Sequence, residues 1–235
     1  MCAFLNRRRK GLLMRTLDFI FMLTRNDRTV ADAAAHVETA LGAGVRHMGF
    51  KDVGLPFDQL DRLNRRIQQG GAVSYLEVVS LDKESELRSV EAATKLGVNV
   101  LLGGTHAQDA LPLLQRCDIR YYPFPGTVTG HPSVLEGSID EIAESARSLA
   151  SFDRVDGLDL LAYRSQTDVP RLIDAVCKAV AKPVVVAGSV DSFEQITTIR
   201  TCGASGFTVG TAALDGRFPA PDKSLHAQLV AILSA

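Results

Sequence analysis

The sequence alternates between short apolar runs and longer amphipathic stretches along its whole length, and this alternation constrains the fold more than any other feature. The apolar runs predict strands at residues 18–24, 46–51, 72–80, 99–102, 120–122, 158–162, 183–187 and 206–209. The amphipathic stretches predict helices at residues 29–41, 56–69, 82–96, 107–116, 139–151, 168–180, 192–202 and 222–233. Strict alternation of this kind is typical of parallel βαβ units.

Eight such units in 235 residues favour one closed (β/α)8 TIM barrel, since these barrels commonly occupy roughly 200–250 residues as a single domain. The alternative is an open doubly wound sheet, but no glycine-rich dinucleotide fingerprint follows the first strand. We therefore predict an α/β protein with a single barrel over residues 17–235, preceded by a basic leader over residues 1–16. Asp82, Asp168 and Ser192 are the expected N-caps, the last of them without a capping box.

Charge and hydropathy exclude several classes of partner. The sequence has 26 basic and 27 acidic side chains, so no overall field attracts nucleic acid or an anionic membrane surface. Residues 7–10 are basic and precede an apolar run, as in a signal peptide, but Arg15 and Asp18 interrupt that run and no cleavage site follows. We expect a cytoplasmic protein with no nucleic acid or membrane partner. The sequence leaves open whether it forms a homo-oligomer.

The cysteines and histidines do not occur at the sequence spacings that are typical of metal ligands. The four cysteines form no CxxC pair, which predicts reduced thiols, and the five histidines form no HxH or HExxH motif. The sequence also contains no Walker loop and no nucleophile elbow. We expect neither a metal nor a cofactor.

Three charged side chains face the barrel interior if alternate strand residues point inward. In the second strand Met48 and Phe50 form the outer face, which turns Lys51 inward at the carboxyl end. The same alternation turns Glu77 inward on the third strand and Asp159 inward on the sixth. A buried charge needs a partner, and the second and third strands are neighbours in a barrel, so we predict a Lys51–Glu77 pair. It is either a structural ion pair or a catalytic lysine with its carboxylate.

Small and hydroxyl residues follow the seventh and eighth strands. Gly188-Ser189 ends the first of these strands, and Gly210-Thr211 ends the second. Glycines at these two places allow backbone N–H groups to approach an anion, and a short helix that begins there adds its positive end. Barrel enzymes frequently bind a phosphate group at this position. The sequence therefore predicts a phosphate site after strands seven and eight.

Residues 156–217, with the segments VAGSVDSFEQI and GFTVGTAALDGRF, resemble the closing quarter of the ribulose-phosphate-binding barrels. The sequences of these segments are most similar to those of the histidine-biosynthesis phosphosugar isomerase and its cyclase relative. The resemblance implies that Gly188, Ser189, Gly210 and Thr211 bind a phosphate. Those enzymes carry a catalytic aspartate after strand one and an acid or hydroxyl residue after strand five. Residues 24–27 (TRND) and 123–125 (PFP) replace these motifs here, so we do not carry their reaction over.

Two further resemblances are confined to layout. Residues 19–49 are similar in layout to prenylglyceryl-phosphate synthases, although the acidic motif of their first strand is altered here. Residues 50–52 (FKD) resemble the second-strand turn of phosphosugar condensing enzymes that use a Schiff-base lysine. Their second lysine, on strand four, has no counterpart in residues 101–104 (LLGG).

Other polar residues follow predicted strands and are candidates for the mouth of the barrel. His106 follows strand four, where it acts either as an acid/base group or substrate ligand at the mouth, or as a cap of the next helix. Arg25 after strand one and Arg164 after strand six are placed to meet a second anionic group, or are solvated. The long loop 124–138, which contains His131, is either a lid or a passive excursion.

These observations predict an enzyme that acts on a small phosphorylated carbonyl compound. Lys51 is the Schiff-base amine or proton shuttle, with Glu77 tuning its pKa and with Asp159 and His106 as further catalytic candidates. Lyase or aldolase chemistry is slightly favoured over isomerisation because Lys51 is the best-placed reactive group. The alternatives are a non-catalytic regulatory protein that binds a phosphorylated metabolite, and a prenyl transferase acting on a phosphorylated glycerol.

Overall fold

The computed structural model describes residues 17–235, so the predicted leader over residues 1–16 lies outside the described residues. Eight parallel strands form one sheet: β1 Asp18–Met22, β4 His47–Lys51, β5 Val73–Val78, β6 Val100–Gly103, β7 Arg120–Tyr122, β10 Leu158–Leu160, β11 Val184–Val186 and β12 Gly206–Val209. Their order across the sheet is β10-β11-β12-β1-β4-β5-β6-β7. Four shorter strands form two hairpins, β2 Thr24–Arg25 with β3 Arg28–Thr29 and β8 Thr127–Thr129 with β9 Val134–Glu136.

The two edge strands of the sheet, β7 and β10, meet and nearly close it into a barrel. The backbone N–H of Asp159 donates to the carbonyl of Pro123 at 3.1 Å, and that of Asp156 donates to the carbonyl of Tyr121 at 2.9 Å. The remaining strands pair in sequence around the ring, with β12 returning to lie against β1. The predicted (β/α)8 barrel is confirmed.

Helices separate the strands and pack around the outside of the barrel. They are α1 Ala33–Gly42, α2 Phe57–Gln69, α3 Lys83–Leu96, α4 Ala107–Leu114, α5 Ile139–Ala150, α6 Val169–Ala179, α7 Phe193–Thr201, the short α8 Thr211–Leu214 and α9 Leu225–Leu233. A turn of 3₁₀ helix, Ala162–Arg164, follows β10. No helix within residues 17–235 is both long enough and apolar enough to cross a membrane.

Local sequence signals explain where several helices begin. The Asp82 and Asp168 side chains accept hydrogen bonds from the first turns of α3 and α6, as expected of N-caps. Ser192 caps α7, but the expectation that it lacks a capping box is wrong. Gln195 occupies the third helical position and its amide oxygen accepts from the Ser192 N–H, so the bonds are reciprocal.

Alternate strand residues face the helices and the barrel interior, as the sequence pattern predicts. Met48 and Phe50 on β4 belong to the apolar layer between barrel and helices. Gly49, between them, points inward, where a side chain would collide with Met22. The interior layer is formed by Ile20, Met22, Tyr75, Val100, Leu102, Tyr122 and Val185. This layer fills the barrel below the carboxyl ends of the strands, so polar groups above it form the floor of a cavity.

Candidate functional site

A cavity of about 540 Å³ opens at the carboxyl ends of the strands. Its volume lies within the range of small-molecule sites, roughly 300–1,000 Å³. Side chains from β4, β5 and β12 line its deep end, including Lys51, Glu77 and Thr208. The segments after β11 and β12 line its other side. The cavity therefore joins the charged residues and the glycine turns that the sequence singles out.

Lys51 lies at the deep end and is almost completely buried, with 3% of its surface exposed. Its Nζ lies 3.2 Å from Oε1 of Glu77 on the adjacent strand and 2.6 Å from Oδ1 of Asp27. The pairing with Glu77 follows from the register of β4 and β5, which places the two residues side by side. The predicted Lys51–Glu77 contact is present, and a second carboxylate joins it.

Asp27 is the residue that sequence reasoning missed. It lies in the turn of the β2–β3 hairpin with a φ of 58°, in the left-handed region that Asn and Asp tolerate better than most residues. The Thr29 hydroxyl fixes this hairpin to β4, because it donates to the Lys51 carbonyl at 2.8 Å and accepts from the Lys51 N–H at 2.9 Å. The Asn-Asp pair was a turn signal, but only the folded hairpin carries its carboxylate to Lys51.

Arg164 completes this charged cluster from the 3₁₀ turn after β10. Its two terminal nitrogens donate to the two carboxylate oxygens of Asp27 at 2.8 and 2.9 Å. Such bidentate pairing fixes both groups in position. Asp27 therefore lies between two cations, Lys51 and Arg164. We use the name charged cluster for Lys51, Asp27, Glu77 and Arg164.

The surroundings of these groups keep both charges in place. Burial by itself would lower the pKa of Lys51, but the Glu77 and Asp27 carboxylates outweigh it and raise that pKa above its ordinary value. Burial would raise the pKa of Asp27, yet its hydrogen bonds to Arg164 and the charge of Lys51 hold that pKa well below its usual range. At neutral pH Lys51 is an ammonium and Asp27 a carboxylate.

Asp159 points into the barrel from β10 and has no exposed surface. Among residues 17–235 neither of its carboxylate oxygens has a hydrogen-bond partner. Burial, followed by the charge of Glu77, raises its pKa well above the ordinary value. An unpaired ionised carboxylate would be very costly there, so the protonated, neutral form is the one that fits this position.

The turns after β11 and β12 form the other side of the cavity, and we call them the glycine notch: Gly188, Ser189, Val190, Gly210, Thr211 and Ala212. Gly188 and Ser189 have φ values of 84° and 59°. The backbone N–H groups of the notch donate to no acceptor within the described part of the chain. A Cβ at Gly210 would lie 2.8 Å from Oγ1 and 2.9 Å from the carbonyl of Thr24. The notch thus presents unpaired donors to the cavity.

Three of the predicted site residues do not line the cavity: His106, Arg25 and the fully buried Asp159. His106 does not line the cavity; its Nδ1 lies 2.8 Å from Oε2 of the buried Glu86, which also accepts the backbone N–H groups of Thr105 and His106. Arg25 donates to Asp215 at 3.0 Å and to the Leu214 carbonyl, outside the cavity lining. The structure therefore brings together Lys51, Glu77, Arg164 and the glycine notch, but not Arg25 or His106.

The long loop 124–138 reaches the mouth of the cavity. It contains the β8–β9 hairpin, and Pro132, Ser133 and Val134 line the cavity. The Ser133 carbonyl accepts a hydrogen bond of 3.4 Å from Arg164. His131 is exposed. The loop therefore forms part of the cavity wall at the mouth.

No protein-family model matches the sequence, and a search of curated proteins finds no match either. Solved structures do match. Orotidine 5'-phosphate decarboxylase from Pyrococcus horikoshii OT3 has 11% identity and a TM-score of 0.66, with 92% of this chain and 98% of that chain covered. Phosphoribosylanthranilate isomerase from Thermotoga maritima has 12% identity and a TM-score of 0.62, over 92% and 97%.

N-acetylmannosamine-6-phosphate 2-epimerase from Clostridium perfringens also matches, with 12% identity and a TM-score of 0.62 over 83% of this chain and 86% of that one. At such identities the likeness shows the fold alone. This chain has the TIM-barrel architecture of those enzymes, which is the fold that the sequence resemblance implied.

Proposed function

We propose that the protein is an enzyme that moves a proton at the carbon next to the carbonyl group of a small phosphorylated compound. One observation carries the proposal: a single cavity has unpaired backbone N–H donors on one side and a buried lysine held by two carboxylates on the other. The backbone N–H donors suit a phosphate group, and the lysine with its carboxylates suits acid–base chemistry at a carbonyl group. The predicted sugar-phosphate-like substrate class fits this arrangement.

The phosphate would bind in the glycine notch. The N–H groups of Gly188, Ser189, Gly210 and Thr211 are free to donate to phosphate oxygens. Positive φ values at Gly188 and Ser189 make a sharp turn at the cavity wall, and concave turns lined by backbone N–H groups are a common way to bind anions. The hydroxyls of Ser189 and Thr211 add two further donors at the cavity wall.

At the opposite end Lys51 and Glu77 would act on the carbonyl group. Glu77 removes a proton from the adjacent carbon as the C–H bond breaks, and the electron pair moves to the carbonyl oxygen. The Lys51 ammonium stabilises the charge that develops on that oxygen. If Glu77 returns the proton to the former carbonyl carbon while the proton of the α-hydroxyl moves to the former carbonyl oxygen, the product is the isomer. If water protonates the original carbon from its opposite face and Glu77 releases its own proton to water, the product is the epimer. Both steps balance without a cofactor.

The ion pairs of Lys51 favour this role over a covalent one. A Schiff base requires a neutral amine, whereas two carboxylates hold the Lys51 ammonium. Lyase or aldolase chemistry through a Schiff base remains the second candidate because Lys51 is the lysine that lines the cavity. It would require the substrate to separate Lys51 from Asp27.

The names of the matching structures support the general class. They include a decarboxylase, an isomerase and a 2-epimerase, and all three names contain a phosphate ester. For those proteins the fold accommodates phosphorylated substrates, and we extend that substrate class to this chain.

The test is a screen of phosphorylated aldoses and ketoses in D₂O, with binding followed by thermal shift and deuterium incorporation followed by proton NMR. We expect a ligand at 100 times its Kd to stabilise the protein by about 2.7 kcal/mol, and we expect deuterium at the carbon next to the carbonyl. Borohydride trapping distinguishes the second candidate, since an adduct at Lys51 shows a Schiff base. Binding without exchange or adduct would favour a regulatory protein. No stabilisation by any ester would contradict the proposal.

A further inference from the structure

The charges at the deep end of the cavity cancel one another. Lys51 and Arg164 supply two positive charges, and Asp27 and Glu77 supply two negative ones. Asp159, behind them, carries none in its neutral form. A ligand that reaches Lys51 therefore meets no net positive charge at the deep end of the cavity.

The arginines near the rim also have carboxylate partners. Arg25 pairs with Asp215 at 2.9 Å. Arg217, which lines the cavity, lies between Asp191 at 3.6 Å and Asp215 at 3.8 Å. Arg25 and Arg164, the two arginines expected to meet a second anionic group, are each bound to an aspartate of this chain, so such a group would compete with that aspartate.

From this balance we infer, resting on the proposed function, that the substrate has one anionic group only. It is a phosphate monoester of an uncharged hydroxy-carbonyl compound, and the cavity discriminates against bisphosphates and phosphorylated acids. A second anion at the deep end would lie against the carboxylates of Asp27 and Glu77, or would have to displace Asp27 from its two hydrogen bonds to Arg164. Like charges placed against a competing ligand are a common source of specificity.

Asp27 is the residue that excludes a second anionic group, so replacing it should weaken the discrimination against bisphosphates. Asp27→Asn keeps the shape of the side chain and suits the left-handed backbone at this position. It leaves Arg164 without an anionic partner and Lys51 with Glu77 alone. The variant should therefore gain affinity for a second phosphate, a gain that a merely structural aspartate would not produce.

The experiment measures dissociation constants by titration calorimetry for two matched pairs, fructose 6-phosphate with fructose 1,6-bisphosphate and ribulose 5-phosphate with ribulose 1,5-bisphosphate. For the wild type we expect the monophosphate to bind at least as tightly as the bisphosphate. For Asp27→Asn we expect the ratio to shift toward the bisphosphate by about tenfold or more. Asp58→Asn is the control, since it removes one negative charge from an exposed pair with Arg62 on α2.

A wild type that binds a bisphosphate about tenfold more tightly than its monophosphate would overturn the inference. So would an Asp27→Asn protein that folds but leaves the ratio unchanged, or one that shifts it no more than Asp58→Asn does. If Asp27→Asn does not fold, Glu77→Gln removes the other carboxylate and must produce the same shift. Inorganic phosphate distinguishes the two proposals. If phosphate binds but all four esters fail, the inferred substrate class is wrong; if phosphate fails too, the proposed function is wrong.

Discussion

The two sides of the cavity are built in different ways. The glycine notch uses backbone groups from two short segments, each of which follows its own strand. The charged cluster uses side chains from β4, β5, the β2–β3 hairpin and the 3₁₀ turn, and its Asp27–Arg164 contact joins residues 137 positions apart. Backbone donors bind an anion without a charge of their own, whereas the cluster holds charges that balance. The two sides therefore suit the two ends of one substrate.

The largest effect that separates the two sides is expected for Lys51→Met. Loss of the ammonium removes the group that stabilises the developing oxyanion, so kcat should fall by about 10³-fold. Affinity for inorganic phosphate should stay within a few-fold of wild type, because the notch is untouched. Steady-state kinetics and calorimetric titration measure the two quantities.

Loss of phosphate affinity together with kcat, in a Lys51→Met protein whose circular dichroism is native, would show that the two sides are not separate. Retention of most of the activity would remove Lys51 from the chemistry.

The second effect concerns the pH dependence of stability at Asp159. Its pKa is raised in the folded protein and is near 3.8 in an ordinary aspartate, so its contribution is full below pH 3.8 and is lost as pH rises toward the folded value. Asp159→Asn cannot ionise in the unfolded state. The free energy of unfolding of the variant relative to wild type should therefore increase by up to about 1.4 kcal/mol for each pH unit between 3.8 and the folded pKa of Asp159. Urea unfolding from pH 4 to pH 8 measures this difference.

A stability difference that stays constant over this range would contradict a raised pKa at Asp159. If Asp159→Asn is more stable at neutral pH but less active, the residue is kept for its place beside Glu77 despite its cost.

The third and smallest effect concerns the notch. Gly188→Ala places a Cβ 2.8 Å from Cγ of Arg164 on a backbone with φ of 84°. Left-handed alanine costs about 1–2 kcal/mol, and the shift that this clash forces on the Gly188 backbone should weaken phosphate binding by about tenfold. Gly97→Ala is the matched control, since its φ is 66° and a Cβ there meets no atom within 4 Å. Thermal unfolding and phosphate titration of both variants give the comparison.

Equal phosphate affinities for the two glycine variants would mean that Gly188 is only a turn residue. Weaker binding in Gly188→Ala alone would place the Gly188 backbone in the phosphate site.

The fold and the notch could be predicted from sequence because their signals are local. Strand faces follow from alternate residues, and the Lys51–Glu77 pair follows from neighbouring strands. Asp27 could not be found in this way, because its position depends on the fold of a two-residue turn and on Arg164, far along the chain. His106 was misplaced for a related reason: the sequence does not reveal that Glu86 on α3 holds its ring. The β8–β9 strands are only three residues long, too short to show alternation.

The most direct measurement is a titration of isotopically labelled protein with inorganic phosphate, followed by amide chemical shifts. We predict that the largest shift changes fall on the amides of Gly188, Ser189, Gly210 and Thr211, which have no acceptor within the described residues. Amides of residues remote from the cavity, such as Gly97, should not move. Shift changes that avoid the notch, or that are absent at saturating phosphate, would contradict a phosphate site there and with it the substrate class proposed for the cavity.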